Sequence, residues 1–301
     1  LSELSHMAEF WNHRGGWPED PINQRLLPRS ASRAQMQTRV GAIDNHVETR
    51  FDTGAVQHRV LFGLDYMRQS ESQASGGVSD LIDAFDPVYG VGERPVIDYD
   101  YFSRMTTRNL GLYAQDQLRY GNWILVGGLR HDRSSSKADD SERESIRANT
   151  RRLGLLYAFP SGWSPYLSYT ESFTPQTGRT EEGALYKPLR GKQTEAGIKY
   201  LPADGRLSAN LAVYHLKEKN REIADVDNPR FGQQVDSSTN RGVEVEVTAK
   251  VSPSLALLGY YSFLDRDRKL GGLPRHQAAI WGRYGFSVAG ISGFTTGAGL
   301  R

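Results

Sequence analysis

The chain has 301 residues, 38% of them hydrophobic and 24% charged, with a mean hydropathy of -0.56. No run of about 18 apolar residues occurs, which excludes a helical membrane protein but not a membrane β-barrel, where only alternate residues meet lipid. Lys+Arg 37 against Asp+Glu 35 leaves +2, too weak a field for nucleic acid, and the lack of cysteine excludes disulfides, zinc knuckles and thiol nucleophiles.

Residues 1–33 hold Trp11, Trp17, Pro18, Pro21 and Pro28 among polar residues without a clear period. They are expected to form an extracellular loop segment. Leu1 to Phe10 lack the basic-then-apolar plan of a signal peptide, so an exported protein would have its true N-terminus upstream. Val47, Thr49 and Phe51 then alternate with Glu48, Arg50 and Asp52. After a turn at Thr53-Gly54, the residues Val56, His58, Val60, Phe62, Leu64 and Tyr66 alternate with Gln57, Arg59, Gly63 and Asp65. That is a hairpin with one apolar face.

The pattern recurs along the chain. Leu110, Leu112, Ala114 and Leu118 oppose Asn109, Tyr113, Gln115 and Arg119, with Asp116 an exception on the apolar parity. Leu125, Leu129 and His131 oppose Arg130 and Asp132; Leu153, Leu155 and Tyr157 oppose Arg152 and Gly154. Ala196, Ile198 and Tyr200 oppose Glu195 and Lys199, and Leu211 and Val213 oppose Asn210 and Tyr214. Val243, Val245 and Val247 oppose Glu244 and Glu246. The alternation predicts about twelve strands. The last, from Phe294 to Arg301, is still running where the chain stops.

Connection lengths sort by parity. Short turns fall at Thr53-Gly54, Tyr120-Gly121, Pro160 to Trp163, Pro202 to Gly205, Val251 to Pro253 and Ser287 to Gly293; long polar stretches fall at 68–107, 133–149, 175–191, 218–238 and 266–274. Tight turns on one rim and long loops on the other mark an outer-membrane barrel. Aromatics near strand ends, among them Trp123, Phe159, Trp163, Tyr200 and Trp281, suit interfacial girdles. An open edge in lipid leaves unpaired backbone groups, so a partial barrel truncated at both ends is expected.

Chemistry-bearing patterns are sparse. Glu244 and Glu246 lie two apart on one strand face without a partner group, and an ion pair in the lumen with Arg241 or a neighbouring-strand arginine is the expectation. The histidines His6, His13, His46, His58, His131, His215 and His276 lack metal-ligand spacing. Gly191-Lys192 lacks the upstream glycine of a phosphate loop, Tyr186 standing in that place, and the segment Asp225 to Asn228 lacks the glycine and distal glutamate of a calcium loop.

Eight stretches in series resemble the TonB-dependent siderophore receptor family, and within it the ferrichrome-type hydroxamate branch. They are Phe51-Asp-Thr-Gly-Ala-Val-Gln-His58, Leu61-Phe-Gly-Leu-Asp-Tyr-Met67, Gly111-Leu-Tyr-Ala-Gln-Asp-Gln117 and Gly127-Gly-Leu-Arg-His-Asp132. Ser164-Pro-Tyr-Leu-Ser-Tyr-Thr-Glu-Ser-Phe173, Gly191-Lys-Gln-Thr-Glu-Ala-Gly-Ile-Lys-Tyr200, Asn240-Arg-Gly-Val-Glu-Val-Glu246 and Pro274-Arg-His-Gln-Ala-Ala-Ile-Trp281 complete the series. The resemblance covers residues 45–301, while residues 1–33 match poorly.

The resemblance implies an all-β fold: an antiparallel up-and-down transmembrane barrel of about 22 strands around a plug. Residues 34–301 would supply about twelve of those strands, and the plug with its TonB-engaging box is absent from the sequence. It also implies a receptor, not an enzyme, in the outer membrane of a Gram-negative bacterium. Its partners would be a ferric siderophore, TonB through the plug region, and outer-membrane lipid or lipopolysaccharide. The protein itself would bind no cofactor, iron arriving inside the siderophore. The long stretch 68–107 offers Tyr89, Tyr99, Tyr101 and Phe102 as ligand-binding aromatics; packing of their own loop is the alternative. A passive porin and a barrel enzyme remain as other readings.

Overall fold

The computed structural model describes residues 2–13, 26–83, 85–89, 96–139, 141–176, 180, 184, 186–224, 232–266 and 274–301. Thirteen strands form one sheet in chain order: β1 (Ser2–His13), β2 (Leu26–Thr53), β3 (Val56–Asp83), β4 (Tyr101–Tyr120), β5 (Trp123–Ala138), β6 (Glu144–Tyr157), β7 (Trp163–Thr174), β8 (Leu189–Tyr200), β9 (Leu207–Lys219), β12 (Ser238–Lys250), β13 (Leu255–Arg266), β14 (His276–Val288) and β15 (Ile291–Leu300). Between β9 and β12, the short strands β10 (Arg221–Ala224) and β11 (Gly232–Val235) pair as a separate hairpin. Sequential neighbours pairing throughout is an up-and-down meander, and no helix occurs among the described residues.

Contacts divide the chain into two units. One comprises residues 1–45, 64–111 and 132–147; the other comprises 46–63, 112–131 and 148–301. In the second unit, register fixes the two faces. Val213, Val243 and Phe263 lie abreast across β9, β12 and β13, as do Leu211, Val245 and Tyr261. One residue along, Ala212, Glu244 and Ser262 lie abreast on the opposite face, followed by Asn210, Glu246 and Tyr260. The period of two puts every valine of Val243-Glu-Val-Glu-Val247 in the apolar row and both glutamates in the polar one.

The apolar row is not buried by protein. Val213 is 48% exposed, Leu167 55% and Ile280 53%, whereas the buried hydrophobic residues of the described chain are only Ala31, Ile82, Ile97, Ala148, Tyr186, Ala212 and Val235. A sandwich would have turned its valines and leucines inward against a second sheet. Here the large apolar side chains sit on an unpartnered face, as lipid-facing strands require.

All six tight connections are present, several offset by a residue: Gly54-Ala55, Gly121-Asn122, residues 158–162, 201–206 and 251–254, and Ala289-Gly290. The last has φ +49° and +81° at its two residues, the left-handed pair a two-residue hairpin turn needs. Aromatic clusters gather beside these turns. Trp123, Tyr157 and Phe159 meet edge-to-face at 4.7 and 4.6 Å, and Trp163 lies 4.3 Å from Tyr200. This is an interfacial girdle on the tight-turn rim.

Two expectations need correction. Residues 2–13 and 26–33 are not irregular: β1 pairs with β2 from Ser2↔Val40 to His13↔Arg29, while 14–25, with Trp17, Pro18 and Pro21, lie outside the described residues. The stretch 68–107 is likewise mostly strand, with 85–89 and 96–100 the described residues between β3 and β4, and β5 and β6 run on to Ala138 and from Glu144. Beyond the lipid-facing rows both faces of a strand meet water, so the ladder continues without any alternation to announce it. Residues 225–231 and 267–273, within two other predicted long loops, lie outside the described residues, as do 177–179, 181–183 and 185 in a third.

Candidate functional site

In the first unit, the residues 96–100 pass over β3. The Asp100 amide donates to the Ser75 carbonyl at 3.1 Å, and a Cβ on Gly76 would strike the backbone of Asp98. A side chain at position 76 would therefore lift this segment away. Tyr99 is held from two sides: the Arg33 guanidinium lies 4.9 Å over its ring, and Phe102 meets it edge-on at 6.4 Å. Its hydroxyl is buried with no partner among the described residues.

Beside this packing lies a concavity of about 530 Å³ lined by Gln35, Gln37, Ser72, Gln73, Ala74, Phe102, Ser103, Arg104 and Asp139. Asp139, at φ +43°, accepts the Arg104 amide at 2.6 Å on its carboxylate, and its own amide donates to the Arg104 carbonyl at 2.7 Å. The lining is one aromatic surface amid amide, hydroxyl and guanidinium groups.

The four expected aromatics separate. Tyr99 and Phe102 come together. Tyr101 and Phe102 are the first residues of β4, not loop residues, and neighbours on a strand face opposite ways. Phe102 shares its parity with Arg104 and Leu110, the face of the apolar row. Tyr101 shares parity with Met105 and the buried Thr107, whose hydroxyl lies 3.4 Å from that of Ser136 on the polar face. Tyr89 is exposed in the connection and meets none of the other three. Arg33, Gln35, Gln37, Arg104 and Asp139 escaped sequence reasoning, because Arg33 to Gln37 read as featureless and the Arg104–Asp139 clasp joins residues 35 apart.

The polar face of the second unit carries a connected row. The Tyr166 hydroxyl donates to Glu195 at 2.7 Å, Gln193 donates to the other oxygen of that carboxylate at 2.9 Å, and the Lys199 ammonium lies 5.2 Å from the Tyr166 ring. Buried Glu218 receives both Nε and Nη2 of Arg221, at 2.9 and 2.6 Å, and the Asn240 amide at 3.3 Å. Near the first tight turn Glu48 bridges Arg50 at 2.8 Å and Arg59 at 2.7 Å. Tyrosine rings lie flat across glycines of the next strand: a Cβ on Gly197 would sit 2.6 Å from Tyr166, and one on Gly242 would sit 2.4 Å from Tyr214. Glu244 lies near Tyr166 and Tyr214 and makes no ion pair with Arg241, correcting the expectation. Arg241 is on the other parity, abreast of His215 and Asp265.

Asp116, the exception on the apolar parity, has a partner there. Its carboxylate lies 2.7 Å from Nδ1 of His58, whose Nε2 lies 2.7 Å from the Thr53 hydroxyl and whose ring stacks on Phe51 at 4.8 Å. His58 and Asp116 are 58 positions apart, so only strand pairing reveals the match. On the loop side, two glutamines bracket the same two carbonyls. Gln176 Nε2 donates to those of Lys187 and Asn220, both at 2.6 Å, and Gln234 Nε2 to the same pair at 2.7 and 3.1 Å. Among the described residues no group of three or more His, Asp or Glu is arranged to hold a metal ion.

Just past the apolar row, Glu171 accepts the Tyr169 hydroxyl at 2.7 Å and lies 3.5 Å from both Arg151 and Lys192. The tyrosine hydrogen bond first, then the two cations, hold its carboxyl below the usual carboxylate range.

The model of the family described as TonB dependent receptor-like, beta-barrel, matches residues 8–301. The Ferrioxamine B receptor of Salmonella typhimurium is 33% identical over 306 residues, covering 96% of this chain and 43% of that protein. The Ferrichrome outer membrane transporter/phage receptor of Escherichia coli is 30% identical, covering 86% of this chain and 38% of that protein. Among solved structures, the ferripyoverdine receptor of the outer membrane of Pseudomonas aeruginosa, bound to ferripyoverdine, superposes with a TM-score of 0.76 at 21% identity, covering 99% of this chain and 42% of that one; this likeness shows the fold. The chain thus spans less than half the length of these two curated relatives.

Proposed function

The chain belongs to the TonB-dependent receptor-like β-barrel family, and from that premise we propose that it serves the uptake of a ferric siderophore of the hydroxamate type, energised through TonB. The family is one of receptors in the Gram-negative outer membrane, not of enzymes. The observation that carries the proposal is the 33% identity, over 96% of the chain, with a relative named for ferrioxamine B. The ferrichrome relative, at 30% identity, points to the same ligand chemistry. Iron is cargo here, enclosed by its siderophore, so the site needs contact surface and hydrogen bonds instead of metal ligands.

The polar face is the wall a passing ligand would meet. Tyr101 is the expected aromatic on that face, while Tyr99 and Phe102 brace the residues 96–100 from the other side. This divides the aromatic group into one contact residue and two that hold the connection in place. Tyr89, exposed between β3 and β4, is the second candidate contact.

The test is growth and iron uptake in a receptor-null Gram-negative strain given the complete gene, supplied with ferrioxamine B or ferrichrome as iron source. Uptake should need TonB. Tyr101→Ala should weaken binding by about 1–3 kcal/mol, the usual range for a lost contact aromatic. Phe102→Ala should leave affinity unchanged in a folded receptor. Uptake from neither siderophore, or uptake undiminished without TonB, would refute the proposal. A Phe102 variant weaker than the Tyr101 variant would reverse the assignment of faces.

A further inference from the structure

Three polar groups on the polar face of the second unit stand together without a partner. At the long-connection ends of β9, β12 and β13, Leu216, Asn240 and Arg266 lie abreast. Two residues farther out Glu218 faces Ser238, and two residues nearer the tight turns Gly242 faces Leu264. All share the parity of Glu244 and Glu246. Oδ1 of Asn240, Oγ of Ser238 and Nη1 of Arg266 are buried, and none has a hydrogen-bond partner among the described residues. Ser238 is only 2% exposed.

The neighbouring groups do not complete the set. Glu218, the carboxylate nearest in register, is already engaged. Arg221 donates to both its oxygens, at 2.6 and 2.9 Å, and Nδ2 of Asn240 donates to it at 3.3 Å. That last bond fixes the Asn240 amide, because a carboxylate only accepts: the nitrogen faces Glu218 and the oxygen faces away. Asp265 lies on the other face, abreast of Arg241. The patch thus presents a lone acceptor, a lone donor and a hydroxyl able to do either. Buried polar groups in native chains are nearly always paired, and an orphan bears its full desolvation penalty. Three in one patch mark a place that another molecule completes. Beside them, Leu216 and Leu264 put half-buried apolar side chains on the face that carries the glutamates.

We propose that this patch is a subsite for the amide-bearing linker of a hydroxamate chelator. A linker carbonyl accepts from Arg266, a linker N–H donates to Oδ1 of Asn240 or to Ser238, and the alkyl segments lie on Leu216 and Leu264. The donor set selects this occupant. A phosphate or carboxylate would answer Arg266 but would set another acceptor against the Asn240 oxygen. Iron-bound hydroxamate groups offer oxygens alone, whereas the amides that join them bring both a carbonyl and an N–H. Position agrees, since the side of the long connections is the one from which an external ligand arrives. The three atoms are shielded in the structure, so binding includes a side-chain movement that uncovers them. This subsite rests on the siderophore reading and adds to it a contact with the organic linker, away from the iron.

The experiment uses the receptor expressed from its complete gene, purified in detergent and checked for heat-modifiable migration. Ferrioxamine B is titrated by quenching of tryptophan fluorescence. Arg266→Met should weaken binding at least about tenfold. The ligand-free thermal midpoint should stay level or rise, because Nη1 has no partner to lose. A side chain that served only the fold would lower the midpoint and leave affinity alone. Asn240→Leu should also weaken ferrioxamine B. It should weaken no further an analogue whose linker amides are N-methylated, since that analogue has no linker N–H to offer. Should either variant fail to fold, Ser238→Ala decides, as it removes a hydroxyl without a partner: affinity should fall about threefold at an unchanged midpoint. Arg206→Gln, in a tight connection, should bind as the parent does. Folded variants with parental affinity, or equal losses for the two chelators in Asn240→Leu, would overturn the subsite alone. A parent receptor that binds neither ferrioxamine B nor ferrichrome would refute the siderophore reading and the subsite with it.

Discussion

Replacing Val245 by arginine measures directly whether the apolar row faces lipid. Val245 lies between Leu211 and Tyr261 in the middle of its row. Lys250 closes the strand on the tight-turn side and Arg241 stands on the other, five and four residues away. At about 3.4 Å per residue and a tilt near 45° these distances project to roughly 12 and 10 Å along the membrane normal. The substitution thus falls close to the middle of an apolar band about 25 Å tall, where arginine costs about 2–4 kcal/mol. Urea unfolding of the receptor in phospholipid bilayers, followed by tryptophan fluorescence, should report that loss for Val245→Arg. Its neighbour Glu246→Arg, on the polar face, should change stability by less than about 1 kcal/mol. Equal losses at 245 and 246, or a larger loss at 246, would refute the assignment of faces.

Gly242→Val should destabilise by about 1–3 kcal/mol, because its side chain would enter the space of the Tyr214 ring; adding Tyr214→Ala should recover part of the loss in the same unfolding assay. Asp116→Ala should cost about 1–3 kcal/mol by leaving His58 without its partner, and the double variant with His58→Ala should cost less than the sum of the two single ones. Glu171 has a lowered carboxyl pKa in the folded state against 4.5 for the free group, so its contribution is complete above pH 4.5 and is lost as pH falls through the lowered value. Acid unfolding of Glu171→Gln should therefore lack a part of the parent's fall in stability below pH 4.5, and identical acid profiles would remove the cluster from the account.

Most of the meander was legible because lipid on one side and water on the other impose a period of two, and the row Val243, Val245, Val247 obeys it without exception. Legibility ended where that contrast ended. Arg68 to Asp83 carries polar residues on both parities, so nothing marked it as strand, although it continues β3 without a break. Residues 2–13 were missed for the same reason. Turn positions slipped by one at Gly54-Ala55 and Gly121-Asn122, since a glycine fits either place of a two-residue connection and the chain alone does not choose. At the candidate site, aromatic content was visible but direction was not. The start of β4 decides that Tyr101 and Phe102 face opposite ways, and that start is invisible in a polar stretch. Long-range pairs such as His58 with Asp116 left only one trace, a carboxylate on the wrong parity.

The scarcity of buried apolar residues changes what a substitution on the outer row can do. In an interior, the neighbours of a side chain are fixed, and an added or deleted methylene leaves a clash or a void. Around Val213, Leu167 or Ile280 the neighbours are acyl chains, which flow to fit. Exchanging one aliphatic shape for another there should be nearly silent, so drift along this face is constrained by hydropathy and length of row and hardly by volume. The jigsaw constraint is instead concentrated on the other face, where rings such as Tyr166 and Tyr214 lie on glycines that have no room to grow.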